Sequence, residues 1–383
     1  MRVLHFRKTF SVLSETFLFD CITGLEREGI HNHVATLTRH NVDTRPFAKV
    51  HVVRGPGPFH LSRVVHYVMA RFRADAPDGS SWPALRRGLE RLTERLSPDV
   101  IHAHFGAEGV LVAPVARRCR IPLVVTFYGS DISRLAQHAP WRARYARLWS
   151  EATAVTVLSR TMWQDAVRLG CPPARLHVVH LGRDLQTLPT RAAVHPVRHF
   201  VSVGRLVEKK GHLDAVRAFG RIATHHPDLR LTIIGEGPLR PALQRLVREL
   251  RLEDRVALPG ARPSPQTIEQ MRDADAFILC SKTAADGDAE GTPTVLIEAQ
   301  FIGLPCVSTR HAGIPEMIPP ENHRLLAAEG NLEELSERLS YLIGEPSTTL
   351  APIVARGRRF AVQHFDLRAQ ASTLRSVYDS VAT

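Results

Sequence analysis

The chain has 383 residues, ordinary apolar content (44%) and a formal charge of +12, too long for one core and too apolar for disorder, so two soluble domains are expected. No apolar run reaches the roughly 18 residues that span a bilayer. The start MRVLHFRKTF carries no leader-like segment, and five cysteines lack metal spacing, so reduced thiols in a cytoplasm are expected. Fifty basic residues include only five lysines. That excess is open to two readings, a coding bias or attraction to phosphates and lipid headgroups. No nucleic-acid motif accompanies it, so nucleic acid is not an expected partner.

In chain order, residues 2–6 (RVLHF) read as a strand and 14–30 as a helix ending at Gly29. Residues 33–38 (HVATLT), 99–105 (DVIHAHF), 122–129 (PLVVTFYG), 152–159 (ATAVTVLS) and 175–182 (RLHVVHLG) continue as apolar strands with helices between. Such continuous apolar strands suggest parallel sheets covered on both faces. Residues 60–74 place Leu61, Val64, Val65, Val68, Met69 and Phe72 at helical spacing, with Arg63, Arg71 and Arg73 elsewhere. A core-facing helix is the preferred reading, and an interfacial helix docking on an anionic membrane is the alternative. Residues 183–198 (RDLQTLPTRAAVHPVR) show no period and read as a linker. Strand signals then resume at 199–206, 229–235, 255–260, 275–281, 304–309 and 323–327, and two helical pieces broken near residues 364–366 close the chain. The expected architecture is α/β, two doubly wound domains with ligands beyond the carboxyl ends of the strands.

Two stretches carry chemistry. In residues 286–303 (DGDAEGTPTVLIEAQFIG), Thr292 reads as a helix cap, Pro293 as the first helical residue and Gly303 as the stop. Free N–H groups of Gly291, Thr292 and their neighbours would form an anion site. Glu290 stands before the cap, and Glu298 lies in the second turn of an otherwise apolar helix, where a buried acid needs a partner. In SVGRLVEKKG, Gly204, Arg205, Lys209 and Lys210 follow a strand end, a pattern suited to a diphosphate or equally to a solvated basic loop.

These stretches resemble the retaining glycosyltransferases of family GT4: EGTPTVLIE its paired glutamates, VGRLVEKKG its diphosphate loop, with IIGEGP, DAFILCS and GLPCVSTRHAGIPEMI in the family's order. SETF, DVIHAHFG and TFYGSDI in the first half are similar to the exopolysaccharide branch, colanic-acid-type enzymes among them. The resemblance implies a GT-B fold of two Rossmann-like domains facing a cleft. An acceptor-binding domain would span 1–183, with a C-terminal helix, 365–383, packing back on it, and a nucleotide-sugar-binding domain would span 184–364. It further implies that Glu298 holds the ribose, Glu290 the transferred sugar, and Arg205 and Lys210 the diphosphate. Gly204, Gly237, Asp288, Gly291, Thr292 and Pro293 would line the donor site, with Gly313 and Ile314 near it. The co-substrate would be a nucleoside-diphosphate sugar, UDP-linked by default, with no metal or other cofactor. DGD reads as a sugar-side loop. The acceptor would be a sugar or lipid-linked sugar, with peripheral membrane contact. A small soluble acceptor, or a binder without transfer, are the alternatives. One departure stands out: Tyr128 occupies the family's usual histidine position, and either it or His104 would take that role.

Overall fold

The protein is seen in a computed structural model describing residues 1–12, 15–53 and 83–382. The helix read at 60–74, with Arg71 and Arg73, lies outside the described residues. The chain divides into two units, Met1–Gly182 with Leu367–Thr383, and Arg183–Asp366.

The first unit contains β1 (Arg2–Phe6), β2 (Thr9–Phe10), β3 (His31–Thr36), β4 (Thr38–Arg39), β5 (Val50–Val52), β6 (Val100–His104), β7 (Leu123–Thr126), β8 (Ala154–Val157) and β9 (Leu176–Val178). Its main sheet runs β5-β3-β1-β6-β7-β8-β9, every ladder parallel. The order turns at β1 and β6, as in a doubly wound sheet. Successive side chains fall on opposite faces. Leu4, Ile101, Val125 and Val155 join one core with helices α2 (Pro83–Leu96), α3 (Gly106–Cys119), α4 (Ala139–Glu151) and α5 (Arg160–Arg168). Val3, Val100, Val124 and Ala154 join another with α1 (Thr16–Arg27) and the last helix, Leu367–Val381. The last helix is therefore needed here: without Ala371, Leu374, Val377 and Tyr378, one face of the sheet would lose much of its cover.

The second unit repeats the pattern with β10 (His199–Val203), β11 (Arg230–Ile234), β12 (Val256–Gly260), β13 (Ala276–Leu279), β14 (Cys306–Thr309) and β15 (Leu326–Ala327). The order is β12-β11-β10-β13-β14-β15, again all parallel. Its helices are α6 (His212–Ala223), α7 (Arg240–Glu249), α8 (Ser264–Asp273), α9 (Thr294–Ile302), α10 (Ile314–Met317), α11 (Leu332–Gly344) and α12 (Ser347–Phe365). Residues 183–198 are not a loose linker. Leu185, Leu188 and Val197 are buried in the cores of this unit, and the Arg191 N–H donates to the Ile302 carbonyl at 2.8 Å. Three anchors at irregular spacing leave no period to read.

Tyr378 ties the last helix to the first sheet, its hydroxyl 2.6 Å from His102 Nδ1 in a fully buried setting. Tyr378→Phe leaves that nitrogen unpartnered and should destabilise the protein by about 1–3 kcal/mol. Urea unfolding would show this as a lower midpoint at constant slope. An unchanged midpoint would mean that the bond adds nothing to the docking.

Candidate active site

In the second unit, strand order reverses between β10 and β13, and room for a ligand is expected beyond the carboxyl ends of these strands. The loop after β10 carries Gly204 to Gly211, and the loop after β13 runs to Pro293. They press together: Gly211 has φ +64, and a Cβ there would lie 1.7 Å from the Cys280 carbonyl oxygen. Gly237, with φ +157, similarly lets the loop after β11 pass Leu206, whose carbonyl oxygen would be 2.6 Å from a Cβ.

Two lysines from one loop meet two acids from the other. Lys210 Nζ is 2.9 Å from Glu290 Oε1, and Lys209 Nζ is 3.0 Å from Asp288 Oδ1. Burial pushes the Glu290 carboxyl up, but Lys210, Lys209 and His311 outweigh it and hold it below the ordinary carboxylate value. The Glu290 backbone is held as well. Its N–H donates to His311 Nε2 at 3.2 Å, while His311 Nδ1 lies 2.7 Å from Glu329. Glu329 accepts in turn from the Thr283 N–H at 2.6 Å. Arg205 is exposed at the end of β10.

Helix α9 starts one residue later than the sequence suggests. Pro293 is its cap, with extended backbone (φ −72, ψ 96), and Thr294 is the first helical residue. The N–H groups of Thr294 and Val295, rather than those of Gly291 and Thr292, open the helix; Gly291 and Thr292 are buried just before it. Glu298 is buried in the second turn, and its partner is Arg183, Nε to Oε1 2.8 Å. Gly313 caps α10 and Ile314 begins it.

The first unit assembles a second cluster at its own switch point. Arg7, just past β1, pairs with Glu15 at 2.7 Å and with Glu108 in the first turn of α3. Its guanidinium lies 4.0 Å over the Phe105 ring. Asp131 ties the turn after β7 to the start of α3, its carboxylate accepting from the N–H groups of Gly106 (3.0 Å), Tyr128 (3.0 Å) and Gly129 (2.9 Å). Tyr128 thus stands at the end of β7, partly exposed, its ring 4.6 Å from Phe105 and 4.9 Å from Phe17. Burial, with Cys21, Asp131 and Glu15 nearby, raises its phenol well above 10, so it keeps its proton.

Of the two candidates for the family's histidine role, His104 does not face open space. It is fully buried behind Tyr128, Nδ1 2.7 Å from the hydroxyl. Its depth follows from β6, all five of whose residues are buried. His5, His102 and His104 lie close enough to share a metal ion, with ligand atoms within 4.8 Å of one another. All six ring nitrogens, however, already have hydrogen-bond partners in the protein.

Sequence reading missed several of these residues. Asp131 sits in the quoted TFYGSDI, three residues after Tyr128, where a short acid folding back on backbone N–H groups is a turn signal. His311 lies in the quoted HAGIPE. Arg183 gives no local signal.

Two family descriptions match the chain: Glycosyltransferase Family 4 over residues 14–187 and Glycosyl transferases group 1 over 192–359. A protein of Escherichia coli named for colanic acid biosynthesis glycosyltransferase activity is 30% identical, covering 95% of this chain and 96% of its own. The amylovoran biosynthesis glycosyltransferase of Erwinia amylovora is 32% identical over 74% of this chain and 70% of its own. Among solved structures, Anabaena HepE in complex with UDP and glucose superposes with a TM-score of 0.79 at 19% identity, covering 99% of this chain and 100% of that one. Sucrose-phosphate synthase of Thermosynechococcus elongatus superposes with a TM-score of 0.76 at 16% identity, covering 99% and 98%. The two parallel α/β units are of the GT-B class.

Lys210→Met would strand the buried Glu290 carboxylate, at an expected cost of about 3–5 kcal/mol near pH 7. Glu290's folded pKa is depressed, so its pairing stabilises above the unfolded carboxylate value and is lost as pH falls through the folded one. The penalty should therefore shrink toward about pH 4. Denaturant unfolding of both proteins at the two pH values measures this, and equal penalties would exclude a charge origin.

Proposed function

The chain belongs to the family 4 glycosyltransferases, with a group 1 glycosyl transferase domain as its second half, and from this premise we propose that it transfers a sugar from a nucleoside-diphosphate sugar to an acceptor hydroxyl with retention and without a metal ion. The acceptor in this proposal is a lipid-linked oligosaccharide in exopolysaccharide synthesis; relatives named for colanic acid and amylovoran biosynthesis support the exopolysaccharide part of the reading. No described helix is long and apolar enough to cross a membrane, and in this reading the protein meets its lipid-linked acceptor as a peripheral protein on the cytoplasmic face.

The observation that carries the proposal is the buried Lys210–Glu290 pair where the second sheet reverses its strand order. In sugar transfer, positive charge develops at the anomeric carbon and negative charge on the departing diphosphate. Fixed cations at the leaving oxygen lower the barrier because they need no reorganisation. Lys210, with Arg205, serves the diphosphate. Glu290, released from Lys210, accepts from hydroxyls of the sugar. Each charge then has a partner both before and after the donor binds, so neither is left buried and alone. The N–H groups opening α9 add a favourable dipole for phosphate. Glu298, held by Arg183, takes the ribose hydroxyls. The donor is UDP-linked by default, and complexes of Anabaena HepE with UDP support that choice.

Two outcomes are expected. Transfer or donor hydrolysis should survive excess EDTA; loss of activity restored by magnesium would overturn the metal-free mechanism. Glu298→Ala should weaken binding of free UDP by about 1.5–3 kcal/mol, tenfold or more, while Glu290→Ala should chiefly slow turnover. Calorimetry with free UDP separates them, and equal binding by both variants would reverse the assignment of ends.

A further inference from the structure

A line of hydrogen bonds runs from the interior of the first unit to Tyr128, and each link has one allowed direction. It begins at Asn32 on β3. The Asn32 amide nitrogen lies 3.0 Å from the Ile22 carbonyl and 3.3 Å from the Ile30 carbonyl. Carbonyls only accept, so the NH2 group faces them and Oδ1 faces His5. Oδ1 only accepts as well, so His5 Nε2, 2.9 Å away, carries its hydrogen. In a neutral ring His5 Nδ1 then accepts, and its partner at 2.9 Å, His104 Nε2, must donate. That leaves His104 Nδ1 as an acceptor, and the Tyr128 hydroxyl at 2.7 Å donates to it.

We propose that Asn32 and His5 are positioning residues: acting through His104, they turn the Tyr128 hydroxyl inward, so that its oxygen meets the ligand as an acceptor only. The ligand group suited to that oxygen is a sugar hydroxyl that donates. The assignment rests on the sugar-transfer reading above and goes beyond it, because it sets the direction of one contact in the acceptor-side unit. The line orients a proton and does not remove one, since it ends on an amide that takes up no proton.

The surroundings keep the rings neutral. Around them stand His102 on β6, Cys21 and Glu26 on α1, Arg7 past β1, Thr126 at the end of β7 and Tyr378 on the last helix. Burial lowers His5 to about 4, against the raising effects of Asn32 and Glu26. Burial, then His102, His5 and Arg7, lower His104 well below 6.5. The line therefore holds one direction throughout the neutral range.

Histidine-labelled protein, examined by long-range proton–nitrogen correlation between pH 6 and 8, tests this directly. His5 and His104 should both carry hydrogen on Nε2 alone. Hydrogen on His104 Nδ1, or a cationic ring, would overturn the proposal. Asn32→Asp supplies the kinetic test. A carboxylate beside His5 raises its pKa and draws a second proton onto Nδ1, which then opposes the His104 Nε2 hydrogen and reverses the line. Turnover should fall by about tenfold at pH 6 and recover toward pH 8.5, an acidic limb that the parent lacks. Parallel pH profiles for the two proteins would overturn the proposal. If Asn32→Asp does not fold, the spectra of the parent decide. A chain that transfers no sugar but shows both Nε2 tautomers would refute the transferase reading and leave the hydrogen-bond direction standing.

Discussion

A carboxylate taken out of water must find a positive partner or lose its charge, and the second unit is arranged around that requirement. Glu290 is 6% exposed, and Lys210 answers it across the reversal of the sheet. The two loops that carry the pair press together, one passing the end of β13 at Gly211, where a side chain would not fit. Lys209 with Asp288, and His311 with Glu329, fix the same loop from two further sides. The result is a set of opposed charges already held beyond the strand ends, where a ligand is expected in such a sheet. Such preorganisation is what stabilisation of a departing anion needs, because groups held in place need not be reoriented during reaction.

The first unit meets a related constraint in its buried sheet with neutral polar groups. Its sheet is buried on both faces, so polar groups within the strands must satisfy one another. His5 and His102 are neighbours by strand register, and His104 ends the strand that carries His102. Each imidazole finds partners among neutral groups, and polarity is passed along the hydrogen-bond line until it emerges at Tyr128. Asp131, accepting from three backbone N–H groups, holds the turn that presents the tyrosine.

Much of this was legible in the sequence because parallel strands buried on both faces are written as unbroken apolar runs. The longer strands are visible that way, and the paired acids and lysines stand out against them. The short strands β2, β4 and β5 carry too few residues to show a pattern. Thr292 looked like a cap because threonine is among the residues favoured there, yet the extended Pro293 takes that place and the helix starts after it. Arg183 could not be read as the partner of Glu298, since their meeting depends on the folded path of a segment without period. The burial of His104 has no local signal either, because it comes from His5 and His102 on the same sheet face and from Tyr128 beyond the end of β7.

The central claim is that the second unit recognises a nucleoside diphosphate carrying a sugar. Thermal unfolding with a panel of nucleotide sugars measures this most directly, because a ligand bound only by the folded state stabilises it by about 2.7 kcal/mol at a hundredfold excess over its dissociation constant. At least one nucleotide sugar should raise the midpoint in proportion to the logarithm of its concentration, and the rise should shrink in Glu298→Ala. A panel in which no nucleotide sugar shifts the midpoint, at concentrations up to the millimolar range, would contradict the account.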